Sequence, residues 1–425
     1  MVQDLVHQKI VANLDKINKW FAEHRFEVDL PFYSSYDIRD SGFKVSNVDA
    51  NIFPAGFNNI CITDRENSGD PVKFYLAKHY GPDIKNILIL SEEHTNNPYY
   101  WDNVIALTKM VKLAGYNVEV AFPRLQSNEP IEMTGASGEK IAVQAAVASE
   151  GKIYVKGYCP DVVVSNNDFS EFYAEWGENL ETPINPAREL GWYQRKKSTY
   201  FTYYNQLATE FAQILDVDPW LFTVPTELIT HYDMSDEKSR EEVALKVEQL
   251  LARTREKYKQ YGINQEPFAY MKNNAGTYGL AVMKVESADQ IRSLNNKSRK
   301  KMKAAKGGRD VEEVILQEGI PSIVRADGAA AEPTIYLVGC QLLGGFLRSH
   351  KDKDATESLN SPGAVYKRLC VSDLKVSVSG HPMENVYGWI ARLGVLAIGL
   401  EAKSMNVQYK GYTRRGVSTE DDICR

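Results

Sequence analysis

The sequence predicts an α/β protein: a parallel sheet in the first half, then an α+β second half built on hairpins. Three observations carry this. Asn86–Leu90 (NILIL) and Asn117–Phe122 (NVEVAF) are short apolar runs on either side of a helical pattern at Tyr99–Leu113. Strand, helix, strand in that order is the signature of parallel strands joined by a crossover. Phe268–Val285 (FAYMKNNAGTYGLAVMKV) sets two apolar runs around a loop with two glycines, and Thr334–Val338 and Gln341–Arg348 are separated only by Gly339-Cys340. Both of these read as β-hairpins.

The remaining elements follow in order. Asp161–Val164 is a further strand of the first half, and Pro186–Ala212 is mostly helical. Asp216–Pro225, punctuated by Pro219 and Pro225, is a connection, so residues 1–220 and 221–425 form the predicted domains. The second divides into a hairpin subdomain of about 221–312 and a core of about 313–410. Within it, Glu241–Tyr261 and Asp289–Lys306 read as helices, Pro267–Met271, Leu280–Val285 and Glu313–Gln317 as strands, Glu384–Leu396 as a buried helix and Ala397–Glu401 as a last short strand.

Composition narrows the class. The 425 residues are 43% hydrophobic and 25% charged, with a net charge of −6, as expected of a globular protein without a nucleic-acid-binding face. The basic run Lys297–Lys306 (KSRKKMKAAK) reads as a solvated helix face, with a place near nucleotide phosphates as the alternative. The N-terminal stretch MVQDLVHQKIVANLDKINKWF is amphipathic and charged throughout, unlike a secretory signal. No apolar run approaches the ~18 residues of a membrane span. Cys61, Cys159, Cys340, Cys370 and Cys424 are odd in number, scattered and without a C-x-x-C pair. They predict neither a disulfide framework nor a zinc site, but small buried apolar residues in a reducing cytoplasm.

Two polar clusters, Glu92–Asn97 and Ser165-Asn166-Asn167-Asp168, follow strands of the first half. Parallel sheets bind ligands beyond such strand ends, though each cluster taken separately reads first as a helix N-cap and turn. In the second half, Lys272 closes a strand before Gly276, Thr277 and Gly279, the arrangement of a flap over a polyphosphate. Gln317 and Glu318 end a strand at a hinge, where backbone groups can meet an adenine edge and a carboxylate a ribose. Arg348 ends the strand LLGGFLR and can neutralise a phosphoryl group in transit. Asn360, in the loop ESLNSPG, and Glu401 offer the oxygen donors that Mg²⁺ prefers. Singly, Arg348 could make a surface ion pair, Asn360 a turn and Glu401 an element end; the ordered set points to a nucleotide site. No G-x-G-x-x-G opens a helix after an early strand, which argues against a dehydrogenase.

The ordered set resembles the ATP-grasp ligases of the glutathione-synthetase branch. The resemblance rests on INPARELGWYQRKKSTYF (184–201), VPTELI (224–229), the lysine strand and glycine-rich flap, and EVILQEGIP followed by TIYLVGCQLLGGFLRSH. FPAGFNNIC (53–61), MKNNAGTYGLAVM and ESLNSPG together resemble the proteobacterial glutamate–cysteine ligases of ATP-grasp type.

The resemblance implies an ATP-grasp fold behind an N-terminal parallel-sheet domain, with ATP and Mg²⁺ as cofactors. It implies that ATP phosphorylates the γ-carboxylate of L-glutamate and that L-cysteine's amine attacks the acyl phosphate, the first step of glutathione biosynthesis. Lys272 and Arg348 would be catalytic, and Lys272, Gly276, Thr277, Gly279, Gln317, Glu318 and Arg348 would bind ATP. Arg39, Asp40, Lys44, Asp49, Asn58 and Asn59, with Arg188 and Arg195, are candidates for the amino-acid substrates. Asn360 and Glu401 are the metal candidates, but the chain departs from the family's carboxylate-x-Asn motif at its final strand. Asn406 lies five residues after Glu401 and Asn360 three after Glu357, so Glu357 and Glu332 stay open. The implied partners are small molecules, with no nucleic acid and no membrane, and a homo-oligomer is left open. The alternatives are another ATP-grasp ligase, such as a glutathione synthetase, or a regulatory protein that binds ATP without turning it over.

Overall fold

The structure is a computed structural model and describes residues 2–414 apart from 94–96, 125–128, 156, 171–172, 174–178, 231–232, 276–281, 297, 299–310 and 312. Its first-half elements are β1 (Tyr33–Asp40), β2 (Val45–Asn51), β3 (Asn86–Leu90), α1 (Pro98–Leu113), β4 (Asn117–Phe122), β5 (Val162–Ser165) and α2 (Lys197–Leu215). The second half adds β6 (Thr226–Ile229), α3 (Glu237–Gln260), β7 (Ala269–Asn273), β8 (Val282–Val285), β9 (Val314–Glu318), β10 (Ala329–Val338), β11 (Gln341–His350), β12 (Val365–Leu369) and α4 (Val386–Ser404).

The predicted parallel strands are present. β5, β3 and β4 lie side by side and parallel, with Ile184–Asn185 parallel beyond β5 and two short strands, Lys140–Ala145 and Ile131–Thr134, beyond β4. Strands covered on both faces read as continuous apolar runs, as NILIL does. Of the polar strand ends, residues 94–96 lie outside the described residues, and Asn97 and Asn166 have structural roles. Asn97 caps α1 by accepting from the Tyr99 N–H at 3.1 Å, with Pro98 at the first helical position. Asn166 joins a closed network: it accepts from Asn103 at 2.9 Å and donates to Tyr33 Oη at 3.0 Å and the Pro54 carbonyl at 2.9 Å. Asn103 in turn accepts the N–H groups of Gly56 and Phe57 at 2.9 and 3.0 Å. The sheet end therefore holds the loop FPAGFNN.

The main sheet runs β12-β11-β10-β1-β2 and is antiparallel. It draws on both ends of the chain, so a boundary near residue 220 separates the sequence but not this sheet. α4 packs beneath it against α2, β1 and β2. Gly394 permits that approach, because a Cβ there would collide with the ring of Tyr36 on β1. The second antiparallel sheet, β6-β9-β7-β8, carries the hairpin and buries Met271, Val285 and Leu316 against Val243, Val247 and Leu250 of α3.

Three expectations change. Ala397–Glu401 is the helical continuation of α4, not a strand; a short buried apolar run fits either state. Of Asp289–Lys306, a short helix ends at Arg292; most of the rest, including most of the basic run, lies outside the described residues. Cys61 and Cys370, 309 residues apart in sequence, form a disulfide, which spacing alone could not reveal; Cys159 is an exposed thiol. No helix among the described residues is long and apolar enough to cross a membrane.

Replacing Asn103 with alanine removes the acceptor of two backbone N–H groups. The expected loss is about 2–4 kcal/mol of stability, read as a lower urea midpoint.

Candidate active site

The main sheet and the hairpin sheet face each other across a cleft of about 1180 Å³, open solvent included. Strand alternation supplies its lining. Ser35, Asp37 and Arg39 project from one face of β1, Glu332, Thr334 and Tyr336 from β10, and Arg348 from β11. Tyr270 and Lys272 of β7 and Gln317 and Glu318 of β9 stand opposite, with Ser358 and Asn360 at the rim. β2 forms the remaining wall with Asp49, Asn51 and its own backbone, next to Trp192 in the segment leading into α2 and Lys197 at its first residue.

β2 is the edge strand of its sheet, and two of its backbone carbonyls are held by cations. Lys272 donates to the Val48 carbonyl at 2.9 Å and Arg195 to that of Ala50 at 3.2 Å. The β1–β2 register slips between Asp37 and Ile38, and Asn47 bridges the bulge by donating to the carbonyls of Asp37 and Asp49 at 3.0 and 2.6 Å. Asp37 and Asp49 are thereby left opposite one another.

Charges interlock across the floor. Arg348 Nη1 donates to Asp37 at 2.7 Å and Glu332 at 2.9 Å, and Arg39 pairs with Glu332 at 2.6 Å. Burial pushes the Asp37 carboxyl above its ordinary value against the pull of Arg348, and the charge of Glu332 adds to the rise. Burial acts the same way on Glu332, but Arg39 and Arg348 outweigh it and hold that carboxyl low. Burial also opposes ionisation of Asp49, yet Lys197, at 2.5 Å, and Lys272 keep it below the usual range. For Lys272, burial is the larger effect. It lowers the ammonium from 10.5 to about 8, despite Asp49 and with help from Lys197 and Arg39.

The cleft gathers Lys272, Gln317, Glu318, Arg348, Arg39, Asp49 and Asn360 among the sequence candidates, together with Glu332. Gly276, Thr277 and Gly279 lie outside the described residues. Gln317 accepts from Lys272 at 2.7 Å. Glu318 is 2% exposed and bonded to Lys44 and to Trp220 Nε1, and its N–H and that of Gly319 bond to the carbonyls of Pro225 and Phe268. A ribose would have to displace Lys44, so Glu318 is here an anchor of the hinge. Asp40 accepts from Tyr387 at 2.7 Å, away from the cleft lining.

Other candidates lie elsewhere. Asn58 and Asn59 bond to each other outside the cleft lining, and Arg188 lines a separate hollow with Thr182 and Lys410. Arg195 and Glu401 are 1% and 0% exposed and pair with each other through three contacts of 3.0–3.1 Å. Glu401 thus has its oxygens engaged in the core, and Arg195 reaches the cleft through the Ala50 carbonyl and the ring of Trp192. Glu357 is turned into its own loop, accepting from Lys353 and the Asp354 N–H. Sequence reasoning missed Asp37, Asn51, Trp192 and Lys197. The signal for Asn51 was present: Asp49-Ala50-Asn51 is a carboxylate-x-Asn at a strand end, but on β2 instead of the last strand.

Cations on facing walls around oxygen donors suit a polyphosphate and the cation that accompanies it. Comparison with known proteins agrees. The glutamate-cysteine ligase family model matches residues 7–402. A solved structure from Methylobacillus flagellatus KT that carries the name gamma-glutamylcysteine synthetase is 34% identical, with 94% of this chain and 96% of that chain covered and a TM-score of 0.84. A glutathione synthetase-like effector from Globodera pallida is 11% identical at a TM-score of 0.39, covering 87% of this chain and 86% of its own. D-alanyl-alanine synthetase A from Vibrio cholerae is 12% identical at 0.33, covering 77% and 82%. No curated protein matches. The chain belongs to the glutamate–cysteine ligase family and is an ATP-dependent ligase.

The lowered Lys272 sets a pH signature. Above about pH 8 the free enzyme has lost this proton, and a polyphosphate beside it restores the charge. Nucleotide binding should therefore take up a proton between about pH 8 and 10.5, seen by calorimetry in buffers of differing ionisation enthalpy. In the same window the unfolded lysine keeps a proton the folded one has lost, so this group's contribution to stability rises with pH. Glu401→Gln leaves the Arg195 charge buried and unpaired, and should lower the unfolding free energy by about 3–5 kcal/mol.

Proposed function

We propose that this cleft performs the family reaction with the following division of labour. Lys272 and Arg348, on opposite walls, bind the β- and γ-phosphates and neutralise charge as the phosphoryl group moves to the γ-carboxylate of glutamate. The amine of cysteine then attacks the acyl phosphate and phosphate leaves. The adenine lies toward Gln317, Gly319 and Ile320. No protein nucleophile is required: positioning and electrostatics do the work.

Asp49, Asn51 and Glu332, with Asp37 beside them, are the residues that would hold Mg²⁺. Their donors are all oxygen, which suits a hard cation, and the Asp37 carboxyl, raised by burial first and by the charge of Glu332 second, would be eased by one. When bound, Mg²⁺ would supply positive charge to offset that of the phosphates. Arg39 is fixed by Glu332 and by the carbonyls of Ala355 and Glu357, so it shapes the rim loop that presents Asn360.

The observation that carries the reading is the pairing of Lys272 and Arg348 across carboxylates on both flanks. The wild-type protein should release ADP only with glutamate and cysteine both present. Turnover indifferent to omission of either amino acid would sink the substrate assignment, and nucleotide-induced stabilisation without ADP would favour a binding protein. Asp49→Asn should lower kcat by about 10²-fold or more and raise the Mg²⁺ concentration for half-maximal rate, with the unfolding midpoint little changed.

A further inference from the structure

We infer that Trp192 and Lys197 form the subsite for the α-carboxylate of glutamate, the one that is not phosphorylated; this rests on the proposed reading of the cleft. Trp192 lines the cleft, is 7% exposed, and its indole N–H is buried with no hydrogen-bond partner among the described residues. An unmet buried donor is rare in a folded protein and calls for an acceptor. The ring itself is fixed. The Arg195 guanidinium lies 4.9 Å and the Lys197 ammonium 5.0 Å from its centroid, so the one polar group the ring still has to satisfy is its N–H. A neutral N–H beside an ammonium is a donor-only pair, complementary to an acceptor-only group such as a carboxylate.

Position favours the amino acid over the nucleotide. The Lys197 and Ser198 N–H groups donate to the carbonyl and side-chain oxygen of Asn274, each at 2.8 Å. Asn274 lies four residues beyond Tyr270, which pairs with Gln317 at the hinge. At ~3.3 Å per residue that is ~13 Å from the adenine end, beyond Lys272, where the triphosphate arm ends and its acceptor begins. Lys272 and Arg348 face the transferring phosphoryl group, which leaves Trp192 and Lys197 for the carboxylate that is only held.

The test is Trp192→Phe, which keeps an aromatic ring beside both cations and removes the N–H. The KM for glutamate should rise about tenfold, with kcat and the KM values for Mg-ATP and cysteine within about twofold. The preference for glutamate over its α-amide should shrink in the same variant, and Lys197→Gln should shift the glutamate KM in the same direction. A rise in the Mg-ATP KM instead would make this a phosphate subsite and overturn the assignment. So would an unchanged glutamate KM, with or without a lower denaturation midpoint, which would mark the indole as structural. These results are distinct from failure of the broader reading, which would show in the wild-type protein as ADP release that does not need glutamate.

Discussion

Everything in the cleft depends on the free edge of β2. An edge strand offers carbonyls that must find donors, and here cations supply them: Lys272 at Val48 and Arg195 at Ala50. One cation belongs to the hairpin sheet and the other to the segment leading into α2, so a single strand registers three parts of the fold. The Asp49-Ala50-Asn51 segment is held through its backbone, which leaves the Asp49 carboxylate and its neighbours to face the cleft. Glu401 contributes at a distance, by neutralising Arg195 in a site without solvent.

The second theme is electrostatic pre-organisation. Arg39, Glu332, Arg348 and Asp37 form an alternating chain of charge, and Asp49 sits between Lys197 and Lys272. Four cations meet three carboxylates here: Arg39, Arg348 and Lys197 each make an ion pair, while Lys272 bonds the Val48 carbonyl and the Gln317 side chain. A triphosphate with its cation can exchange partners within the set without stranding a buried ion. Such an arrangement lowers the reorganisation needed when the phosphoryl group moves. The asparagine network around Asn103 and Asn166 and the Cys61–Cys370 disulfide serve the same end, anchoring the loop that follows Asn51 to the parallel sheet and to the end of β12.

Apolar patterning alone recovered β3, α1, β4 and the β10–β11 hairpin, because strands buried on both faces and amphipathic helices carry strong periodic signals. It did not recover β1 and β2, where SSYDIRD and VSNVDAN turn polar side chains into a cleft and blur the alternation. Glu401 was misplaced for the converse reason: an apolar run ending in a carboxylate looks like a strand delivering a ligand until helix α4 is seen to bury it against Arg195.

The sequence by itself determined the chemistry of the molecule: a lysine before a glycine-rich loop, a Gln-Glu hinge and a strand-end arginine, in the order of an ATP-dependent ligase. Those residues sit in local motifs, and local motifs are written in consecutive positions. Only the tertiary structure decided which carboxylates join them, because Asp37, Asp49 and Glu332 come from strands of opposite ends of the chain. Their meeting is a property of sheet order and register, set by long-range pairing that no linear pattern encodes.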